Sequence, residues 1–220
     1  ERQCQWVDKY HDNCFVSCGL NNLEQTLELL KRGAKGVCID IAHGHSDNMI
    51  NFIRDLKTAL PDKEVIAGNV CTPMGYQDLV NAGADAVKVG VGCGAACSTR
   101  IKTGFGVPQF SAIYNCAEIA KRLRVPVIAD GGIVHEKDMV LALAAGASTV
   151  MMGSIFAKTL ESAAPKRTIR KDDKDVLMVK YRGQASQDFQ TDFYGGMKKG
   201  TVPEGVAFEA PCTGSAQDVI

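Results

Sequence analysis

Residues 83–97 read GADAVKVGVGCGAAC, and they contain the junction of a helix, a strand and a loop. The Gly83-Ala84 pair suits the end of a helix, because glycine readily adopts the left-handed conformation that terminates one. Residues 85–90 form a short apolar run, the pattern of a strand buried in a parallel sheet. Glycines at positions 90, 92 and 94 then indicate a loop whose backbone can approach a ligand closely.

The same unit recurs along the chain. Gly-Ala pairs also occur at residues 33–34 and 146–147, each between a helical pattern and an apolar run. The sequence predicts strands at residues 14–20, 36–42, 64–70, 86–91, 125–130 and 149–154. It predicts helices at residues 22–32, 47–60, 77–82, 111–123 and 137–145, after a half-helix at 5–12. Strands that alternate with helices in this way indicate an α/β protein with a parallel sheet.

Two architectures fit this alternation, a doubly wound sheet and a TIM (β/α)8 barrel. Polar or glycine-rich residues follow almost every predicted strand, at residues 40–43, 69, 90–97, 130–132 and 153–154. A barrel builds its site from many strand ends, whereas a doubly wound sheet concentrates its site at one switch point. We therefore predict a barrel. Only six βα units are visible, so we expect the first two of the eight to be missing.

The chain is predicted to have two parts. Residues 1–160 form the barrel portion, with a catalytic cysteine loop at residues 90–109. Residues 161–220 form a charged excursion with a hairpin that includes a strand at 176–181, an active-site flap at 182–200, a short β segment and the start of a final helix. Long irregular segments next to a site are typical of lids.

Composition excludes several classes of partner. The 220 residues carry 25 basic and 25 acidic side chains, so no basic field is available to bind nucleic acid. No apolar run approaches the roughly 20 residues that cross a bilayer, and we expect no membrane partner. Nine cysteines, several in apolar runs, suit a reducing cytoplasmic location.

Cys97 is the candidate nucleophile, because it follows the glycine-rich loop and a thiolate there could reach a bound molecule. Lys88, Arg100 and Lys102 could favour its thiolate form. The alternative is an incidental cysteine in a glycine-rich connection. Two histidines, at 43 and 45, are more consistent with polar pocket residues than with zinc ligands, because no further ligands accompany them.

Two neighbouring strand ends suit a phosphorylated ligand. ADGGI at residues 129–133 and MMGS at 151–154 place glycines before predicted helices, which is where barrels bind phosphate. Asp130 would then be placed to hold a ribose diol. The alternative is a pair of ordinary βα turns.

Together, these motifs resemble those of the IMP dehydrogenase/GMP reductase family. The resemblance is carried, in order, by IDIAHGHS (39–46), VIAGNV (65–70), the Cys97 loop with TRIKTGFGVPQ (99–109), PVIADGGI (126–133), STVMMGS (148–154), YRGQAS (181–186) and VPEG (202–205). It implies a TIM barrel that acts on a purine nucleotide monophosphate with a nicotinamide cofactor. It also implies a covalent adduct between Cys97 and C2 of the purine.

The resemblance further implies roles for individual residues. Cys97 and Thr99 would be catalytic, with a flap acid at Gln187 or Asp188. The other implied roles are substrate binding by Asp130, Gly132, Gly153, Ser154, Gly183 and Gln184, cofactor binding by Asp40, His43 and Asn69, and monovalent cation (K⁺) binding by the backbone of Gly90, Gly92 and Cys97. Relatives also lead us to expect a homotetramer.

The branch of the family is left open. IDIAHGHS and IKTGFG are similar to GMP reductases, which reduce GMP to IMP and ammonia with NADPH. YRG and VPEG are closer to IMP dehydrogenases, which oxidise IMP to XMP with NAD. The dehydrogenase flap carries an Arg-Tyr pair that activates water, and no arginine precedes Tyr194 here. We therefore expect a GMP reductase.

Three departures from the family pattern favour a third possibility, an inactive nucleotide-binding homologue. Ala95 replaces a serine that contacts phosphate, and Cys93 replaces a usual proline. The flap acid of the reductase pattern is either lost to Gln187 or displaced to Asp188. A glutamine cannot deliver a proton, so this change bears directly on turnover.

Overall fold

The computed structural model describes residues 2–197 and 200–219. A six-stranded parallel sheet has the strand order β1-β2-β3-β4-β5-β6, so each strand pairs with its neighbour in sequence. The strands are β1 (Phe15–Cys18), β2 (Gly36–Asp40), β3 (Glu64–Val70), β4 (Ala86–Val89), β5 (Val127–Asp130) and β6 (Thr149–Met151). All six predicted strands are confirmed, with ends that differ by a few residues. The sheet is the curled α/β sheet of a TIM-type barrel, built here from six units.

Helices connect the parallel strands and cover the sheet. They are α1 (Arg2–Tyr10), α2 (Leu23–Lys31), α3 (Asp47–Ala59), α4 (Pro73–Ala82), α5 (Thr99–Thr103), α6 (Gln109–Leu123), α7 (Glu136–Ala144) and α8 (Ser154–Ala157). Side-chain caps start two of them: Ser46 accepts a hydrogen bond from the Met49 amide, and Thr72 accepts one from the Gly75 amide. Gly83, in the left-handed conformation, ends α4 as expected.

The core lies between the sheet and these helices. The strands bury Val37, Ile39, Val65, Ala67, Val87, Val89, Val127 and Ala129, each at most 1% exposed. The helices add Leu30, Met49, Ile53, Leu56, Leu79 and Ile113. Because neighbouring strands pair in parallel register, their carboxyl ends meet at one edge of the sheet. The polar residues that follow the strands therefore converge there.

A second, antiparallel sheet follows the barrel portion. It contains β7 (Lys166–Lys171), β8 (Lys174–Arg182) and β9 (Ala207–Pro211), in the order β7-β8-β9. Asp172 and Asp173 form the turn of the first hairpin with positive φ angles of 50° and 58°. The hairpin and the short β segment are confirmed.

The segment between β8 and β9 contains a helix that the sequence analysis placed within an irregular flap. Helix α9 (Gln187–Tyr194) begins at Ser186, whose side chain accepts a hydrogen bond from the Phe189 amide. Phe189 and Phe193, one turn apart, stack with their ring centroids 4.4 Å apart. The surrounding glycines concealed this short pattern. Across the described ranges, no helix is both long and apolar enough to span a membrane.

Candidate functional site

A cleft of about 550 Å³ opens at the carboxyl edge of the parallel sheet. Strand ends form one wall, and the described residues between β8 and β9, here called the flap segment (residues 183–197 and 200–206), form the other. The polar residues that line the cleft include Asp40, Asn69, Cys97, Thr99, Asp130, Gln184 and Glu204. The parallel strands and the flap segment together thus bring into one cleft residues that are up to 164 positions apart in the sequence.

A chain of hydrogen bonds runs from the candidate nucleophile to a carboxylate. The Cys97 Sγ donates to Oγ1 of Thr99 at 3.2 Å, and this hydroxyl donates to Oε2 of Glu204 at 2.6 Å. The second bond has the short length typical of a hydroxyl that donates to a carboxylate group. Both donors point toward Glu204, so the arrangement can carry a proton from the thiol to the carboxylate and back.

Backbone contacts fix Glu204 against the cysteine loop. The Ser98 amide donates to the Glu204 carbonyl at 2.7 Å, and the Val206 amide donates to the Ala96 carbonyl at 2.9 Å. These bonds form a short antiparallel bridge between Cys97 and Gly205. The position of the carboxylate therefore depends on main-chain pairing as well as on its own side chain.

Cys93 and Cys97 line the same cleft, but their environments differ. Burial and the nearby Asp130 carboxylate raise the pKa of the Cys93 thiol to about 12. Its Sγ donates to the Asp130 carbonyl and to Oε1 of Gln109, both at 3.3 Å. Cys93 therefore stays a protonated, packed thiol at neutral pH, and Cys97, which has a proton acceptor, is the better nucleophile.

Lys88 is fully buried beneath the cleft and joins two of its carboxylates. Its Nζ lies 2.9 Å from Oδ1 of Asp40 and 2.9 Å from Oδ2 of Asp130. Burial disfavours the ammonium, but these two carboxylates outweigh burial and raise the pKa of Lys88. The Lys88 ammonium is paired with these two carboxylates. The expectation that Lys88 favours the thiolate form of Cys97 is therefore not supported by its contacts.

Asn69 extends the same network. Its Nδ2 donates to the Gly90 carbonyl at 2.8 Å and to Oδ2 of Asp130 at 3.0 Å. Its Oδ1 is buried and has no hydrogen-bond partner within the described ranges. A buried acceptor without a donor is costly, so this atom is suited to receive one from a bound ligand.

Gln109, the first residue of α6, fastens the ends of β4 and β5. Its Nε2 donates to the carbonyls of Val89 at 2.9 Å and Asp130 at 3.2 Å. Gly90 allows this close approach, because a Cβ at that position would overlap the Asp130 carbonyl oxygen. The two strand ends that carry the cysteine loop and Asp130 are thereby held together.

The expected phosphate residues lie beside this cleft rather than among its lining residues. Gly132 follows β5, and a Cβ at this position would lie 3.4 Å from the Gln109 side chain. Gly153 and the buried Ser154 follow β6. Tyr181 of β8, which the sequence analysis did not select, packs its hydroxyl against Gly153. Burial, followed by the Asp130 carboxylate, raises the pKa of this phenol, so it remains a neutral donor.

Several other expected residues lie elsewhere. Gln187 and Asp188 line a separate cleft, where Asp188 forms an ion pair with Lys180 at 2.8 Å. The expectation that one of them serves Cys97 is at odds with this geometry, which places Glu204 of VPEG there instead. The motif was visible in the sequence, but its distance to Thr99 was not. His43 is exposed and lies outside the lining of either cleft.

The structure gives limited support for metal binding. Within residues 2–197 and 200–219, no cluster of three or more His, Cys, Asp or Glu side chains could hold a metal ion. The Gly90 carbonyl, an expected cation ligand, already accepts a hydrogen bond from Asn69. This carbonyl oxygen has a second lone pair, so K⁺ binding by the backbone of Gly90, Gly92 and Cys97 stays a prediction.

The fold and the site define an α/β barrel-type protein with a thiol that is hydrogen-bonded, through a hydroxyl, to a carboxylate at the carboxyl edge of its sheet. A sequence model of the IMP dehydrogenase / GMP reductase domain matches residues 9–220. The chain therefore belongs to this family of oxidoreductases that act on purine nucleotides, as its motifs suggested.

Relatives from both branches of the family are similar to the chain. Inosine-5'-monophosphate dehydrogenase from Chlorobaculum tepidum is 42% identical over 215 residues, which is 93% of this chain and 43% of that protein. The enzyme of the same name from Nitrosopumilus maritimus is 49% identical over 74% of this chain and 34% of its own length. GMP reductase from Leishmania major is 41% identical over 90% of this chain and 41% of its own length.

A solved structure of a member of this family is also similar to the chain. The chain is similar to GMP reductase C318A from Trypanosoma brucei in complex with guanosine 5'-monophosphate, with a TM-score of 0.82 and 36% identity. The match covers 92% of this chain and 42% of that one. The chain thus spans less than half the length of these relatives.

Proposed function

We propose that the chain carries the catalytic centre of a GMP reductase, which converts GMP to IMP and ammonia with NADPH. The observation that carries the proposal is the hydrogen-bonded series Cys97, Thr99 and Glu204, which opens into a cleft with Asp130. A nucleophile, a proton carrier and a ribose-binding carboxylate around one space suit covalent chemistry on a nucleotide base.

The relay performs two proton transfers in this mechanism. Glu204 first receives the Cys97 proton through Thr99, and the thiolate attacks C2 of GMP. The same proton then returns through Thr99 to the leaving 2-amino group, which departs as ammonia. When bound, the nicotinamide dinucleotide supplies the hydride that C2 needs. Release of the C2–sulfur bond gives IMP and returns the thiolate, which takes up one proton from solvent before the next turnover.

The residues of the cleft fit the two ligands. Asp130 would hold the ribose of the nucleotide, with Gly132, Gly153, Ser154 and Tyr181 on its phosphate side. Asp40 and Asn69 would hold the cofactor, and the free Oδ1 of Asn69 suits an amide or hydroxyl donor. Roles for Gly183, Gln184 and His43 remain predictions, as does a homotetramer.

The flap segment favours reduction over hydrolysis. Its residues that line the cleft are Gln184, Ala185, Gln190, Met197, Thr201, Val202 and Glu204. Among these described residues Glu204 is the only ionisable one, and no arginine is placed to activate water. Phe193 precedes Tyr194, and Arg182 is paired with Asp192 at the surface of α9. Among the described flap residues that line the cleft, hydrolysis of a covalent intermediate therefore has no base other than Glu204.

IMP dehydrogenase is the second candidate. The similarity to the two dehydrogenases and the VPEG motif favour it, because Glu204 itself could accept a proton from water. The product of that reaction would be XMP, with NAD as the oxidant.

Absorbance at 340 nm, with ammonia followed in parallel, distinguishes the candidates. We expect NADPH loss and an equal amount of ammonia when GMP is supplied, and we expect Cys97→Ala to abolish both. NADH formation from IMP and NAD would instead establish the dehydrogenase. Nucleotide binding without turnover in either assay would identify an inactive binder and refute the proposal.

A further inference from the structure

The most deeply buried charge of the described chain lies under the cleft, and the relay chemistry does not use it. Lys88 is 0% exposed, whereas the side chains of its partners Asp40 and Asp130 are 39% and 22% exposed. The carboxylates thus face the cleft and the ammonium lies behind both of them.

The neighbouring strand makes room for this lysine. Gly68 of β3 pairs with Lys88 of β4, and a Cβ at Gly68 would lie 2.6 Å from the Lys88 Cβ. A side chain at position 68 would therefore displace Lys88. The fold accommodates a buried ammonium at this point, although burying a charge is costly unless it is paired.

We infer that Lys88 is a positioning residue that couples the nucleotide subsite at Asp130 to the cofactor subsite at Asp40. The inference rests on the proposed function, which assigns one ligand to each carboxylate. One ammonium holds an oxygen of each, so each carboxylate presents its remaining oxygen to its ligand in a defined direction.

The charge, rather than the packing of the lysine stem, carries this role. Without the ammonium, Asp40 and Asp130 are like charges that face each other next to a poorly solvated wall. Their repulsion then pushes the two carboxylates apart, and both subsites lose their geometry. Removing the Asp40 charge as well eliminates this repulsion and leaves Asp130 with its hydrogen bond from Asn69.

Calorimetric titration of the chain with GMP alone and with NADP⁺ alone tests the inference without turnover. We expect Lys88→Met to weaken the binding of both ligands by about tenfold or more. A loss of charge interaction equivalent to one pKa unit corresponds to that factor. Asp40→Asn should weaken the binding of NADP⁺ and leave the binding of GMP unchanged. The double variant Lys88→Met/Asp40→Asn should bind GMP within about threefold of the unmodified chain, a non-additive result.

Lys57→Met is the matched control. Its Nζ also contacts a carboxylate, Oδ2 of Asp85 at 2.7 Å, but outside the cleft. We expect both affinities to be unchanged in this variant.

Three outcomes would overturn the inference. Lys88→Met could weaken one ligand only, or the double variant could bind GMP no better than Lys88→Met. If neither variant folds, the lysine stem is needed for packing and the charge argument fails. If Lys88→Met alone fails to fold and the double variant folds and binds GMP, the charge argument is supported. Absence of turnover with intact binding would refute the proposed function and leave this test valid.

Discussion

Replacing Glu204 with glutamine tests the proton relay directly. Glutamine has nearly the same shape as glutamate and can still accept a hydrogen bond from Thr99 through its amide oxygen. It cannot take up a proton at neutral pH, so the relay loses its terminal acceptor while the 2.6 Å contact can persist. The perturbation is therefore chemical rather than structural.

The expected loss follows from the role of the residue. A positioned acid or base contributes about 100-fold to 10,000-fold to a rate, so kcat with GMP should fall within that range. The Michaelis constant for GMP should change less than about tenfold, because Glu204 contacts Thr99 rather than the proposed ribose carboxylate. Initial rates of NADPH loss and ammonia release, measured over a range of GMP concentrations, separate the two constants.

Two further variants make the result decisive. Asp188→Asn changes the residue to which the flap acid could have been displaced, but Asp188 lies in the other cleft, so this variant should retain activity within about threefold. Thr99→Val should lose about as much activity as Glu204→Gln, and the combined variant should lose little more, because both belong to one relay. The reasoning is refuted if Asp188→Asn loses as much activity as Glu204→Gln, or if Glu204→Gln remains fully active.

Three other predictions concern the loop and the core. Gly90→Ala should lower the free energy of unfolding in urea by about 1–3 kcal/mol, because the added Cβ meets the Asp130 carbonyl. The control Gly19→Ala has open space around the added Cβ and should change this free energy by less than about 0.5 kcal/mol. Iodoacetamide at pH 8, with the labelled sites mapped by mass spectrometry, should modify Cys97 well before Cys93, because a pKa of about 12 leaves roughly one Cys93 thiol in 10,000 ionised. The rate of Cys93 labelling should rise about tenfold per pH unit. Equal labelling rates of the two cysteines at pH 8 would contradict the raised pKa of Cys93. Tyr76→Phe should lower the free energy of unfolding by about 1–2 kcal/mol and leave kcat unchanged, because the buried Tyr76 hydroxyl donates to the Val125 carbonyl at 2.6 Å. An unchanged urea midpoint would show that this hydrogen bond contributes nothing to stability.

Much of the architecture could be predicted because its signals are local. Apolar runs of strand length, helical spacing and Gly-Ala helix ends each depend on a few neighbouring residues, and they recur in step. The same holds for Cys97, since a cysteine in a glycine-rich loop after a strand is visible without a structure. Helix α9 was missed because its cap and its aromatic pair occupy only a few residues between glycines.

The sequence by itself determined the order of strands and helices, the edge of the sheet at which polar residues gather, and the candidate nucleophile. Only the tertiary structure decided which carboxylate lies within hydrogen-bond distance of Thr99 and which partners the charge of Lys88 has. Asp188 is closer in sequence to Cys97 than Glu204 is, yet main-chain pairing of Cys97 with Gly205 brings Glu204 to Thr99. Likewise, Lys88 contacts Asp40 and Asp130 because three parallel strands end at one level. Such contacts join residues far apart in sequence, and local patterns hold no information on the distances between them.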